Sequence, residues 1–121
     1  METAHQGKRS LLFPQPPVLL AYASVAGKKE AEGPLKNTFD VTTTDTKFGQ
    51  KTWEKAETQM QKTAMLLAMQ KAELKETDLD AAFVGDLLNQ CIGSSFSMRN
   101  NGVPTFGLYG ACSTMAEGLV L

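Results

Sequence analysis

Histidine and cysteine are scarce in this sequence: one histidine and two cysteines among 121 residues. Cys91 and Cys112 lie far apart and make no CxxC pair, and the single histidine, His5, is distant from both. Two thiols and one remote imidazole do not assemble a zinc site, and in an intracellular setting both thiols are expected to be free. Charge of one sign is lacking too: 12 Lys and Arg face 13 Asp and Glu, for a formal net charge of -1. The basic residues form no run longer than Gly7-Lys8-Arg9 or Gly27-Lys28-Lys29. Without a strong positive field the surface does not gather polyanions, which argues against a nucleic-acid partner. No stretch approaches the roughly 20 apolar residues that span a bilayer. The apolar run after Arg9 is interrupted at Pro14, Pro16 and Pro17, so it does not read as a secretory leader.

What is present is a globular composition, 42% apolar and 21% charged, at a length that suits one ordinary domain. Residues 1–17 read as a flexible arm with a proline-rich end, and Val18-Leu19-Leu20-Ala21-Tyr22-Ala23 as a short buried strand closed by Gly27. From Gly27 to Lys51 neither period is visible, which suggests a long surface excursion covering a site or an interface. Trp53, Ala56, Met60, Ala64, Leu67 and Ala68 then recur at three- and four-residue spacing and predict a helix running to about Glu76. Thr52 suits its N-cap, Glu54 and Glu57 its amide end, and Lys71 and Lys75 its carbonyl end.

Beyond Thr77-Asp78-Leu79-Asp80, the run Ala81-Ala82-Phe83-Val84 reads as a buried strand ending at Gly85. A second helix is expected from Leu88 or Asn89 to Arg99, stopped by Asn100-Asn101-Gly102, and a third strand over Thr105–Tyr109. After Gly110-Ala111 the chain enters the start of another helix at Cys112. Strands alternating with helices imply an α/β fold, with 18–23, 81–84 and 105–109 parallel in one sheet. Trp53, Met60, Leu67, Phe83 and Phe106 are the expected core. The apolar run that closes the sequence has no helix terminator, so 18–121 reads as an incomplete domain.

Cys112 is the leading candidate for chemistry. A strand, two small residues and Cys-Ser-Thr at a helix start describe a tight elbow, in which Gly110 allows a sharp turn and unpaired amides favour a thiolate, a carboxylate or an oxyanion. The alternative is an inert, packed cysteine. Ser113 and Thr114 suit capping, Glu117 lies about one turn further on, and Cys91 beside Ile92 and Phe96 suits packing. Asp86, Asn89 and Gln90 follow the strand that ends at Gly85, the edge where parallel sheets gather functional loops. They either line a polar pocket near Cys112 or serve structurally, Asp86 in a turn and Asn89 as a cap. His5 in the arm is no dependable base, so no nucleophile–base pair is visible.

Taken together, Gly27-Lys28-Lys29-Glu30-Ala31-Glu32-Gly33-Pro34-Leu35, Phe39-Asp40, Lys51-Thr52-Trp53-Glu54-Lys55-Ala56-Glu57, Gly85-Asp86-Leu87-Leu88-Asn89-Gln90 and Gly110-Ala111-Cys112-Ser113-Thr114-Met115 resemble the stage V sporulation protein AD family of endospore-forming bacteria. The resemblance implies a thiolase-like fold, of which this chain would be part of the amino-terminal half of a five-layered αβαβα architecture. It implies binding of dipicolinic acid for uptake into the developing spore, with calcium present only as part of the ligand and no other cofactor. Cys112, Ser113, Asp86 and Asn89 are then the candidate ligand-binding residues. In the related ketoacyl synthases the cysteine matching Cys112 is acylated, so an acyltransferase with Cys112 as its catalytic nucleophile is one alternative, and a non-catalytic structural subunit another. The implied partners are dipicolinic acid, membrane proteins of the same sporulation operon and a second copy of the chain through residues 87–110. The implied location is the cytoplasmic side of the spore inner membrane, held peripherally without a transmembrane segment.

Overall fold

The computed structural model describes residues 4–121, so Met1, Glu2 and Thr3 of the expected arm lie outside the described residues. In chain order the elements are β1 (Ala4–Gln6), β2 (Ser10–Leu12), β3 (Val25–Ala26), α1 (Lys28–Glu32), β4 (Val41–Thr42), α2 (Trp53–Lys71), β5 (Ala82–Gly85), α3 (Ile92–Met98), β6 (Thr105–Leu108) and α4 (Thr114–Val120). The arm segment carries an antiparallel hairpin of β1 and β2, with His5 opposite Leu11 and left-handed Gly7 in the turn.

Two parallel strand pairs frame the rest. β3 pairs with β4, Val25 opposite Val41, and β5 pairs with β6, Phe83 opposite Phe106. The expected parallel pairing of the second and third strands is therefore present. The expected strand at 18–23 is not: Val18, Leu19 and Leu20 are 79%, 72% and 71% exposed, and no ladder partner is assigned to them. The ladder begins at Val25 because the segment read as a surface excursion supplies β4 as its partner, and β3 and β4 form a separate sheet.

Asp40 fastens this sheet. Its carboxylate accepts hydrogen bonds from the Ser24 N–H at 2.8 Å and from the Ser24 hydroxyl at 3.3 Å. Lys71, at the end of α2, bonds Asp40 at 2.5 Å and the Tyr22 carbonyl at 3.0 Å. The hydrogen bond from Lys71 and that from Ser24 together hold the Asp40 pKa below the ordinary carboxylate value.

α2 begins where its sequence predicts, with the Thr52 hydroxyl oxygen accepting from the Lys55 N–H at 3.3 Å. It ends at Lys71 instead of near Glu76, because Glu73 turns left-handed at φ 56°. α3 packs along it through small residues, and Gly93, Ser94 and Ser97 are buried there. Small side chains let the two backbones approach, and the Thr58 hydroxyl of α2 donates to the Gly93 carbonyl at 3.3 Å; Ala56 is the one buried position of α2.

The β5–β6 sheet has a helix on each face. Gly107 points toward Cys91, the residue before α3, whereas Gly85, Leu108 and Phe83 face α4 through Thr114 and Gly118. The alternation follows from the two-residue period of strands. The core comprises Ala26, Ala56, Met98, Val103 and Leu108. Three expected members are corrected: Trp53, Phe83 and Phe106 are 52%, 39% and 54% exposed. Met60 and Leu67 are half-buried. Phe83 and Phe106 stack on each other at 5.2 Å between centroids. α4 is only seven residues long and meets Phe83 through Gly118, so it cannot roof the pair. Trp53 sits in the first turn of α2, with the Lys47 ammonium 5.6 Å from its ring centroid.

Gly85 is the tightest joint. A Cβ there would overlap the Thr114 methyl group and stand 2.7 Å from the Leu108 carbonyl oxygen. Gly85→Ala is expected to destabilise the protein by about 1–3 kcal/mol in urea unfolding, the usual cost of overpacking. Adding Thr114→Ser, which removes the methyl, should recover part of that loss. A double variant no better than the single one would show that Thr114 is not the obstacle.

Candidate functional site

The elbow after β6 is built differently from its sequence reading. Gly110 is not left-handed, with φ -120° and ψ 17°. The left-handed residue is Ala111, at φ 48°. Gly110 is needed for space: a Cβ there would lie 2.5 Å from Ser113 Oγ and 3.1 Å from Glu117 Oε2. The Ser113 hydroxyl donates to the Gly110 carbonyl at 2.6 Å, and Thr114 Oγ1 accepts from the Gly110 N–H at 3.1 Å. Ser113 and Thr114 therefore clamp the glycine, and Ser113 makes no side-chain cap on α4.

A single 3₁₀ turn, Ala111–Ser113, precedes α4. Its Ser113 amide is spent on the Gly110 carbonyl at 2.9 Å, and its Thr114 amide on Ala111 O. The amides not consumed by that turn are those of Ala111 and Cys112 themselves. Those two amides lie at the thiol itself.

Cys112 is exposed and borders an open groove of about 650 Å³. Phe83, Leu87 and Met115 give the groove apolar walls, with Asp86 and Gln61 as polar members of its lining. The Glu117 carboxylate lies over Gly110 at the elbow. Of the four sequence candidates, Cys112 and Asp86 share this groove. Ser113 belongs to a shallower hollow with Ala116, Glu117, Val120 and Leu121, and Asn89 lines neither.

Asp86 is 3% exposed, and its carboxylate is fully engaged. Oδ1 accepts from the Cys91 N–H at 3.0 Å; Oδ2 accepts from the Ser94 N–H at 2.8 Å and the Ser94 hydroxyl at 2.9 Å. Burial pushes its pKa up, but these hydrogen bonds outweigh it and hold the value below the ordinary one. Asp86 is thus the anchor of α3, reaching across a turn in which Gln90 and Cys91 are both left-handed. That turn delays α3 to Ile92, so the expected start at Leu88 or Asn89 is corrected, and Cys91 occupies the N-cap position in place of Asn89. Asn89 instead donates its amide to Glu54 Oε1 at 3.1 Å. Cys91 is half-buried, its Sγ 3.5 Å from the Leu108 carbonyl oxygen, and packs behind Gly107. His5 is exposed on β1 and does not line the Cys112 groove.

Two residues were not read as part of the site, Glu57 having been placed only at the amide end of its helix. Glu57 Oε1 accepts from the Leu87 N–H at 3.2 Å, and Gln61 Nε2 donates to the Gly85 carbonyl at 2.9 Å. Between them they support the segment that leaves β5. Burial comes first among the causes that raise the Glu57 pKa; the Leu87 N–H, and to a lesser extent the Leu88 N–H, oppose it, and the Asp86 and Glu54 charges add to it. The legible signal was Glu57, Thr58 and Gln61, a polar group within one turn of the helix flanked by the predicted apolar stripe.

These site elements all lie within a matched stretch: the family described as Stage V sporulation protein AD (SpoVAD) matches residues 7–121. The chain belongs to the stage V sporulation protein AD family. It is 38% identical over 111 residues to "Stage V sporulation protein AD" of Bacillus subtilis (strain 168), an alignment covering 92% of this chain. The alignment spans 33%, about a third, of the length of that relative. Family membership accounts for the α/β order with mixed parallel and antiparallel sheets, a pattern consistent with thiolase-like architecture. Among the described residues, no helix is long and apolar enough to cross a membrane.

The Asp86 anchor yields a signed pH dependence. A carboxyl whose folded pKa is depressed contributes stability above its unfolded value, about 3.9, and loses it as pH falls through the lower folded value. Asp86→Asn should therefore cost about 1.5–3 kcal/mol at neutral pH, the range for hydrogen bonds to a charged group, and the difference should shrink in acid. Urea unfolding at pH 7 and pH 3 measures both. An unchanged difference at pH 3 would rule out the ionised carboxylate as its source.

Proposed function

We propose that the protein binds dipicolinic acid in the groove beside Cys112, free or as its calcium chelate, within a complete fold of the five-layered αβαβα type. The observation that carries this reading is the exposed Cys112 at the mouth of a largely apolar groove, next to the two amides left over by the 3₁₀ turn. A flat pyridine dicarboxylate has an apolar ring to lay against such walls and carboxylate oxygens to meet amides. The only fully engaged acid on the groove is Asp86, and its negative charge makes a calcium-neutralised ligand the more favourable form.

Titration calorimetry on the whole protein, with and without calcium, tests the reading. Cys112→Ala leaves the amides in place and should weaken binding by about tenfold or less, roughly 1.4 kcal/mol. Cys112→Trp should fill the groove mouth and abolish binding. Equal affinity in the wild type and the tryptophan variant would remove the ligand from this elbow. An acyl adduct found by intact mass after incubation with acyl-CoA, and lost in Cys112→Ala, would establish the acyltransferase alternative.

We also propose a two-fold homodimer through residues 87–110, acting at the cytoplasmic face of the spore inner membrane with membrane proteins of the same operon. Leu87, Phe96, Phe106 and Tyr109 of this stretch are 60%, 53%, 54% and 55% exposed, leaving apolar side chains free for a self-complementary contact. Sedimentation of the whole protein is expected to show a dimer at micromolar concentration, which Phe106→Asp should dissociate. A monomer throughout that range would end this part of the proposal.

A further inference from the structure

Beneath the segment that leaves β5, two buried acceptors face a shortage of donors. Glu57 Oε2 and Gln61 Oε1 are both shut off from solvent and have no hydrogen-bond partner among the described residues. They belong to residues four apart on α2, which places the side chains one turn apart on a single helix face. Each residue's other polar atom is committed to the same short segment: Glu57 Oε1 to the Leu87 N–H, and Gln61 Nε2 to the Gly85 carbonyl. Turning the Gln61 amide over would set its oxygen against the Gly85 carbonyl oxygen, so the present orientation is the sound one. Leaving a buried acceptor unsatisfied is costly, and here there are two.

One hydrogen resolves both. An ionised Glu57 offers no donor, whereas a protonated Glu57 has an O–H to give, and Gln61 Oε1, one turn along the same helix face, is an acceptor that lacks one. The charges set against Glu57 favour this state, since the two that act on it, Asp86 at the end of β5 and Glu54 on α2, are both negative. α3, packed on the same helix, contributes no cation: Ile92–Met98 has no charged side chain. Space is limited as well, because a Cβ on Gly93 would lie 2.8 Å from Glu57 Oε2 and 3.4 Å from Asp86 Oδ2. The two carboxyls therefore flank the same glycine. Asp86 with its three donors is the one equipped to stay charged.

We propose that Glu57 stands in the folded protein as a neutral carboxylic acid, its Oε2–H donated to Gln61 Oε1, and that this shared hydrogen positions the Gly85–Leu88 segment along the Cys112 groove. Glu57 and Gln61 are thereby positioning residues, and the inference holds whatever ligand the groove takes. The direction of the pH effect follows. A carboxyl whose folded pKa is raised contributes stability that is complete below its unfolded value and is lost as pH rises through the folded value. Wild-type stability should thus contain a component that declines on the alkaline side, opposite in sign to that of Asp86.

The test is done on the whole protein labelled with [¹³C]glutamate. Carbon NMR should find one glutamate carboxyl that titrates above the common set and vanishes from the spectrum in Glu57→Gln. Gln61→Met, which removes the acceptor, should shift that titration to lower pH. Glu57→Gln retains a carbonyl for the Leu87 N–H and gains an amide donor for Gln61, so its urea midpoint should match or exceed the wild type at pH 7, and the alkaline decline should disappear. A Glu57 carboxyl that titrates with the common set would overturn the proposal, leaving the anion with a bridging water as the arrangement. If Glu57→Gln fails to fold, the wild-type and Gln61→Met titrations still decide the matter.

Discussion

The carboxylate of Asp86 makes three hydrogen bonds inside the protein, and each reaches a residue of the next element. It thereby joins the end of β5 to the start of α3 across a turn that the backbone adopts reluctantly. Left-handed geometry costs a non-glycine residue about 1–2 kcal/mol, and Gln90 and Cys91 both adopt it. Charge-assisted hydrogen bonds of the kind Asp86 makes are of comparable size. With α3 fixed, its small-residue face settles on α2, β6 returns beside β5, and the elbow at Cys112 lands on the opposite face of that sheet. Removing the anchor therefore disturbs the candidate site through the scaffold, without any contact between Asp86 and a ligand.

The groove owes its character to a division of labour among acids. Asp86 is charged and satisfied, Glu57 is half-buried with its Oε2 shut off from solvent and unpartnered, and Glu117 stands in the open over Gly110. Three carboxyls within one small region would repel an anion if all were ionised and free. Tying one up with amides, and burying a second, reduces that repulsion while keeping the local framework rigid.

Much of this was legible beforehand, and the misses have specific causes. Thr52 and the stripe from Trp53 to Ala68 located α2, and the strands read at 81–84 and 105–109 are present as Ala82–Gly85 and Thr105–Leu108. The family likeness rested on the GDLLNQ and GACST segments, which frame the groove. Hydropathy misplaced the first strand, because a run such as Val18–Ala23 reads as buried whether or not a ladder partner is at hand. Trp53, Phe83 and Phe106 were assigned to the core on size, yet Trp53 sits at the start of α2 and the helix over Phe83 is short and meets it through Gly118. Asn89 and Ser113 were credited with caps by residue type, and left-handed turns at Gln90–Cys91 and Ala111 moved the helix starts past them. Such φ values leave almost no trace in sequence when glycine is not the residue that adopts them. Glu57 and Gln61 were overlooked because polar side chains on a long helix ordinarily face water.

The left-handed Ala111 carries a mechanical implication. Because the unfavourable torsion sits immediately before Cys112, the bearing of the thiol is governed by the backbone and not by packing around the sulfur. The clamp that Ser113 and Thr114 place on Gly110 keeps that torsion loaded, in the manner of a catch holding a spring. Both hydroxyls act on the residue before that torsion, on its side away from the thiol. The aim of the cysteine is consequently stored one residue upstream of it, in an alanine that itself has no chemistry to offer.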